Sequence, residues 1–246
     1  DLNAVATVMH APPSDVEVLP DAPLAGIPTA IKDNEAVAGY PVSYGSAGMP
    51  NVPAPVTWPW SAQFIAMGVS PVAKTTLPEF GLTAATESTR FGVTHNPWDL
   101  GRTPGGSSGG SAALVASGVV PIAHANDGGG SIRIPAACCG LVGLKPSRGR
   151  MVDRPDVQRL PVQIAAQGVL TRSVRDTARY FYEAEKLYAS PSLPPIGDVR
   201  GPGAQRLRIG VLTRGWRDFP VSAELLSLTN QTAEVCAGLG HETVEL

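Results

Sequence analysis

Apolar residues fall in short runs separated by glycine- and proline-rich segments, and these runs predict a chain of alternating strands and helices. Residues 24–31 (LAGIPTAI) form an unbroken apolar stretch that reads as a buried strand ending at Lys32. Residues 61–68 read as a helix and 69–74 (VSPVAK) as a short strand. A small-residue helix is expected over 109–117, a buried strand over 119–123 and another strand over 141–145. Residues 172–188 mix apolar and charged positions as a helix would. A Gly/Pro-rich stretch at 198–205 reads as an exposed linker, followed by strand, helix and strand at 206–212, 223–237 and 243–246. Segments 37–51 and 86–104 read as loops. No repeat or heptad run is present. This alternation argues an α/β class with a parallel or mixed sheet.

Composition narrows the classes of function. The 246 residues suffice for one large domain or two small ones. Hydrophobic residues make up 43%, enough for a sizeable core, so the chain does not have a disordered composition. Charged residues are only 16% and the formal charge is -2, which argues against nucleic-acid or membrane-surface binding through bulk charge. The uncharged stretch 103–126 contains Pro104, Pro121 and several glycines, and so is not a membrane-spanning helix. No signal-peptide pattern opens the chain. It starts at Asp1 rather than Met and stops in an expected strand, so a cut is expected at either end. Cys138, Cys139 and Cys236 are odd in number and lack C-x-x-C spacing. They are expected to be reduced, mostly buried thiols of a cytoplasmic protein, with no metal site.

Two Gly/Ser segments carry the candidate chemistry. The first, residues 104–111 (PGGSSGGS), could be a linker, a phosphate loop or a site that presents hydroxyls. A linker fits poorly beside an apolar helix and strands, and a Walker loop would end in G-K-[ST]. The second, residues 127–131 (DGGGS), follows an expected strand. Successive glycines can turn their N–H groups toward one point, as an oxyanion hole requires, with the Ser131 hydroxyl beside them. No G-x-S-x-G elbow occurs. A Ser-His-Asp arrangement could use only His95 or His124. A serine needs a base, and a buried lysine can serve once desolvation lowers its pKa. Of the four lysines, Lys32 has the most apolar surroundings.

These residues lie in a wider pattern. Residues 105–150 (GGSSGGSAALVASGVVPIAHANDGGGSIRIPAACCGLVGLKPSRGR) resemble the signature region of the amidase signature family. Residues 27–34 (IPTAIKDN) resemble its lysine segment, and 73–81 (AKTTLPEFG) and 92–111 (GVTHNPWDLGRTPGGSSGGS) also fit. Ser107 and Ser131 are 24 residues apart, as the family's two active-site serines are. The resemblance covers almost the whole chain and is densest over 24–151. His124-Ala125-Asn126 departs from the small residues or Thr common there, as in the branch that includes the cyclic-dimer hydrolases of nylon oligomers. Cys138 stands where an aromatic is common.

The resemblance implies an α/β fold in which a mixed, twisted central sheet is covered by helices on both faces. It implies one amidase signature domain over 1–246, incomplete at both ends. Ser131 is then the nucleophile, and Ser107, after a cis Gly106–Ser107 peptide, bridges it to the base Lys32. Oxyanion donors are the N–H groups of Gly128, Gly129, Gly130 and Ser131. Asp127 and Arg133 are expected to hold the loop, and Ser108 has a supporting role. The implied activity is hydrolysis of a linear small-molecule carboxamide through a serine acyl-enzyme, with no cofactor, no metal, no nucleic acid or membrane, and the chain acting alone or as a homodimer. The alternatives are the glutaminase subunit of a tRNA-dependent amidotransferase and a non-catalytic Gly-rich-loop binding module.

Overall fold

Strands buried on both faces organise the first part of the chain. In the computed structural model, which describes residues 1–154, 157, 161–215 and 219–246, a six-stranded mixed sheet has the order β1 (Val5–Val8), β3 (Ser70–Thr75), β2 (Pro28–Lys32), β6 (Ile122–Asp127), β8 (Ala166–Thr171), β7 (Val142–Gly143). β3, β2 and β6 run parallel, while β1, β8 and β7 are antiparallel to their neighbours. All six residues of β6 and of β8 are buried.

Side chains alternate across a strand, and the alternation shows which helices cover which face. Ala123, Ala125 and Leu170 point into one core cluster with Ala112 and Val115 of α2 (Gly109–Ala116) and Ala136 of α3 (Arg133–Cys139). Ile122 and Val169 point the other way, toward Trp60 and Phe64 of α1 (Pro59–Ala66) and Tyr180 and Phe181 of α4 (Val174–Leu187). Helices therefore cover both faces, as expected. The α1–α4 side is aromatic and closed by a hydrogen bond from Trp60 Nε1 to Tyr180 Oη at 3.1 Å. The α2–α3 side is built from small residues, so its helices lie close to the sheet. A Cβ on Gly110 would sit 2.4 Å from Thr76 Oγ1 and 2.7 Å from the Thr76 carbonyl oxygen.

α4 has the sequence marks of a helix. Ser173 caps it by accepting from the Asp176 N–H, Asp176 lies in the first turn and Lys186 in the last. A two-residue hairpin, β4 (Glu87–Ser88) with β5 (Gly92–Val93), interrupts the expected loop at 86–104. The chain forms two compact units, Asp1–Arg200 and Gly201–Leu246, and the boundary falls inside the expected linker. In the second unit, β9 (Arg208–Val211) and β10 (Glu242–Glu245) pair in parallel, joined through α5 (Ala223–Gly238), which Ser222 caps.

Sequence and structure differ at further places. β6 starts at Ile122 rather than 119, because Val119 and Val120 close the turn after α2 through hydrogen bonds to the Leu114 carbonyl. The strand expected over 141–145 pairs only at Val142–Gly143. β1, β8 and α3 are not among the elements the sequence pattern predicts. No described helix is long and apolar enough to cross a membrane.

Candidate active site

Lys32 closes β2 at the point where two neighbouring strands part. β2 follows β3 to its end, with Lys32 opposite Thr75, but pairs with β6 only at Thr29–Ile122 and Ala30–Ala123. Beyond Ala30 a side chain replaces the ladder: the Lys32 N–H donates to His124 Nδ1 at 3.2 Å. The Lys32 side chain is fully buried in this gap. Its Nζ lies 2.8 Å from Ser107 Oγ, 2.9 Å from Ser108 Oγ and 2.8 Å from Asn126 Oδ1. The Gly106–Ser107 peptide is cis. Glycines allow the close approach here, since a Cβ on Gly106 would lie 2.8 Å from the Thr83 carbonyl oxygen.

Burial pushes the Lys32 amine well below its ordinary pKa. The Arg154 guanidinium adds to this, while Asp127 and Glu35 oppose it. An ammonium has three hydrogens, enough for all three neighbours; a neutral amine has two hydrogens and a lone pair. Asn126 Oδ1 can only accept. Ser108 Oγ has the Asn126 carbonyl as an acceptor for its own hydrogen, at a long 3.5 Å. A neutral Lys32 would therefore turn its lone pair to the Ser107 O–H, an arrangement able to pass a proton.

The second Gly-rich segment is organised by one carboxylate. Asp127 Oδ1 accepts from the Gly130 N–H (2.7 Å) and Arg133 Nη2 (2.9 Å). Its Oδ2 accepts from the N–H groups of Ile132 (3.2 Å) and Arg133 (3.3 Å) and from Arg133 Nε (2.8 Å). Burial alone would raise the Asp127 pKa, but Arg133 and the three backbone donors outweigh it and hold the carboxyl below its ordinary value. Gly130 has φ 126°, and a Cβ there would strike Ile134 at 2.6 Å.

This geometry corrects one expectation. The Gly130 N–H is taken by Asp127, so it does not belong to the free donor set. Among the described residues no turn, loop or side-chain acceptor takes the N–H of Gly128, Gly129 or Ser131. Ser131 lies half-buried just before α3, whose capping position is Ile132. The structure thus joins Lys32, Ser107 and Ser108, and joins Asp127 to Arg133. Among the described residues it makes no hydrogen bond between Ser107 and Ser131, and the Ser131 hydroxyl faces no partner.

The departure at His124-Ala125-Asn126 marks two site residues whose roles only the structure shows. Asn126 bonds Lys32. His124 is fully buried against the Trp60 ring, 4.1 Å between centroids, and Gln167 Oε1 lies 3.0 Å from its Nε2. Burial holds its pKa well below the ordinary value; the bond to Gln167 opposes this only in part, and Lys32 and Arg154 add to it. It is neutral and committed to the Lys32 backbone, which removes it as a base for a serine. His95 is tied to the Leu100 carbonyl. Lys74 is as buried as Lys32 but lies 3.2 Å from Asp33 and donates to the Pro41 carbonyl. Of the three thiols, expected to be mostly buried, only Cys139 is; Cys138 is exposed and Cys236 intermediate. No group of three or more His, Cys, Asp or Glu that could hold a metal occurs among the described residues.

Known proteins resemble this chain over most of its length. The family model described as Amidase matches residues 7–246. The chain is 52% identical over 217 residues to "Putative amidase AmiC" of Mycobacterium leprae, covering 88% of this chain and 46% of that protein. It superposes on 6-aminohexanoate cyclic dimer hydrolase complexed with substrate with a TM-score of 0.82 at 34% identity, covering 92% of this chain and 49% of that one. It superposes on a bacterial aryl acylamidase with a TM-score of 0.82 at 31% identity, covering 100% and 54%. The chain thus spans about half the length of the relatives it matches.

Proposed function

The chain belongs to the Amidase family, and from that premise we propose that it carries the catalytic centre of an amidase that cleaves a small-molecule carboxamide to a carboxylate and an amine or ammonia. The observation that carries this reading is the buried Lys32 amine 2.8 Å from Ser107 Oγ, with no carboxylate bonded to it.

In the proposed mechanism Ser131 Oγ attacks the amide carbon. Its proton passes to Ser107 as Ser107 gives its own to Lys32. The tetrahedral oxyanion is stabilised by N–H groups of the Gly-rich loop, among them Gly128, Gly129 and Ser131. Removing one such donor typically costs about 2.7–4 kcal/mol of barrier lowering. The proton then returns through Ser107 to the leaving nitrogen, because an amine anion is too poor a leaving group. Water cleaves the acyl-enzyme by the reverse path. The Ser131 hydroxyl must turn toward Ser107 for the first step, and its half-buried, unbonded state supports that freedom. The unpaired thiols are in keeping with a cytoplasmic setting.

The test is a fluorophosphonate probe together with a panel of aliphatic, aryl and cyclic amides. Wild type is expected to label at Ser131 and turn over at least one amide, and Ser131→Ala to do neither. Undiminished labelling or turnover in Ser131→Ala would sink the assignment.

A further inference from the structure

Lys32 is held from both ends by hydrogen-bonded side chains that one ion pair, Arg154 with Glu35, links together. Starting at the amine, Lys32 Nζ donates to Asn126 Oδ1 (2.8 Å), and Asn126 Nδ2 donates to Asn34 Oδ1 (3.2 Å). Arg154 Nη1 donates to the Asn34 carbonyl (3.0 Å), and its Nε lies 3.5 Å from Glu35 Oε1. Gln167 Nε2 donates to the same Glu35 oxygen (3.0 Å). His124 Nε2 donates to Gln167 Oε1 (3.0 Å), and His124 Nδ1 accepts the Lys32 backbone N–H (3.2 Å). Asn34, Glu35, His124, Asn126 and Gln167 are all buried.

Resting on the amidase reading above, we propose that Asn126 is a positioning residue: anchored through Asn34 and Arg154, its amide oxygen occupies one N–H of Lys32, Ser108 Oγ accepts the other, and the lone pair is thereby directed at Ser107. An amide suits this place because it offers one accepting and one donating arm. The donating arm is committed to Asn34, so the oxygen is fixed toward the amine. A threonine hydroxyl could rotate. An aspartate would set one oxygen against Asn34 Oδ1 and the other against Nζ, pairing the amine as an ion.

The charges that face Lys32 set the expected effect of such a change. Asp127 and Glu35 favour its charged form and Arg154 disfavours it, while His124 on the neighbouring strand is neutral. Asn126→Asp places a carboxylate at hydrogen-bond distance of the amine, where none lies now, close enough to raise its titration by about one to three units.

The test follows the ε-carbon of Lys32 by NMR in the full chain labelled with 13C-lysine. With only four lysines, the signal is assigned by its loss in Lys32→Met. Asn126→Asp is expected to move the Lys32 midpoint upward by about one unit or more; the same midpoint in both proteins overturns the proposal. Asn34→Ala is the second variant, for the case in which Asn126→Asp does not fold. It removes the anchor without touching the amine and is expected to lower kcat by at least about tenfold with KM unchanged, as small misplacements of catalytic groups do; an unchanged kcat overturns the proposal. The titration requires no turnover, so it reads the placement of Lys32 separately from Ser131→Ala, which tests the nucleophile.

Discussion

Asp127→Asn removes one charge and keeps the shape of the side chain, so its effect can be worked from the bonds described above. Whichever way the new amide is turned, its NH2 group meets donors. The less damaging orientation loses the two bonds at Oδ1, from the Gly130 N–H and Arg133 Nη2. At about 1.5–3 kcal/mol for a bond to a charged group, two such losses come to about 3–6 kcal/mol. The Arg133 side chain is 54% exposed, and solvent screening of its share leaves about 2–4 kcal/mol. For a unit of this size that is a fall in Tm of about 4–16 °C. The folded-state pKa of Asp127 lies below its ordinary 3.8, so the carboxylate stabilises above that value and the contribution is lost as pH falls through the folded pKa. Asparagine has nothing to lose there. Thermal melts of both proteins across pH are expected to show a gap that is full at neutral pH and narrows below about pH 4. A gap under about 2 °C at neutral pH, or one that stays constant into acid, would refute the view that this carboxylate holds the loop.

Other outcomes follow from the same geometry. Gly110→Ala forces a methyl against Thr76 backbone atoms and is expected to cost about 1–3 kcal/mol or more in chemical denaturation, whereas Gly129→Ala, with no atom within 4 Å, should leave stability within about 0.5 kcal/mol. Iodoacetamide at limiting dose should alkylate exposed Cys138 before Cys139, whose thiol burial, reinforced by the neighbouring Cys138, pushes up to about 12; equal rates by peptide mass mapping would contradict this. Amide turnover should be unchanged by EDTA, and a loss restored by added metal would contradict the serine mechanism.

What could be read from the sequence was local. A continuous apolar run before Lys32, the small residues of α2 and the two Gly/Ser segments each carry their cause within a few neighbours. β8 hides because AQGVLT puts Gln167 and Gly168 where a buried strand should be apolar, and Gln167 is accounted for only by His124 and Glu35, 43 and 132 residues away. α3 hides because Gly130 and Ser131 lead straight into a seven-residue helix with a proline in its first turn. The same distance effect conceals the role of Asn126, whose partners Lys32 and Asn34 are 94 and 92 residues off. Gly130 was assigned as a donor to the substrate because a run of glycines says which N–H groups can converge, not which one a nearby carboxylate has already taken.

The parting of β2 from β6 has a consequence for how such a protein can change. The Lys32 amine sits inside the sheet, where β2 and β6 part and His124 takes the Lys32 N–H. Ser107 and Ser131 lie on loops between the strands and helices. Loop sequences away from these serines can drift, lengthen or be exchanged while the amine keeps its surroundings. A slip of one residue in β6, by contrast, would send His124 and Asn126 to the wrong faces at once. The surroundings of the Lys32 amine are in this sense inherited with the strand register.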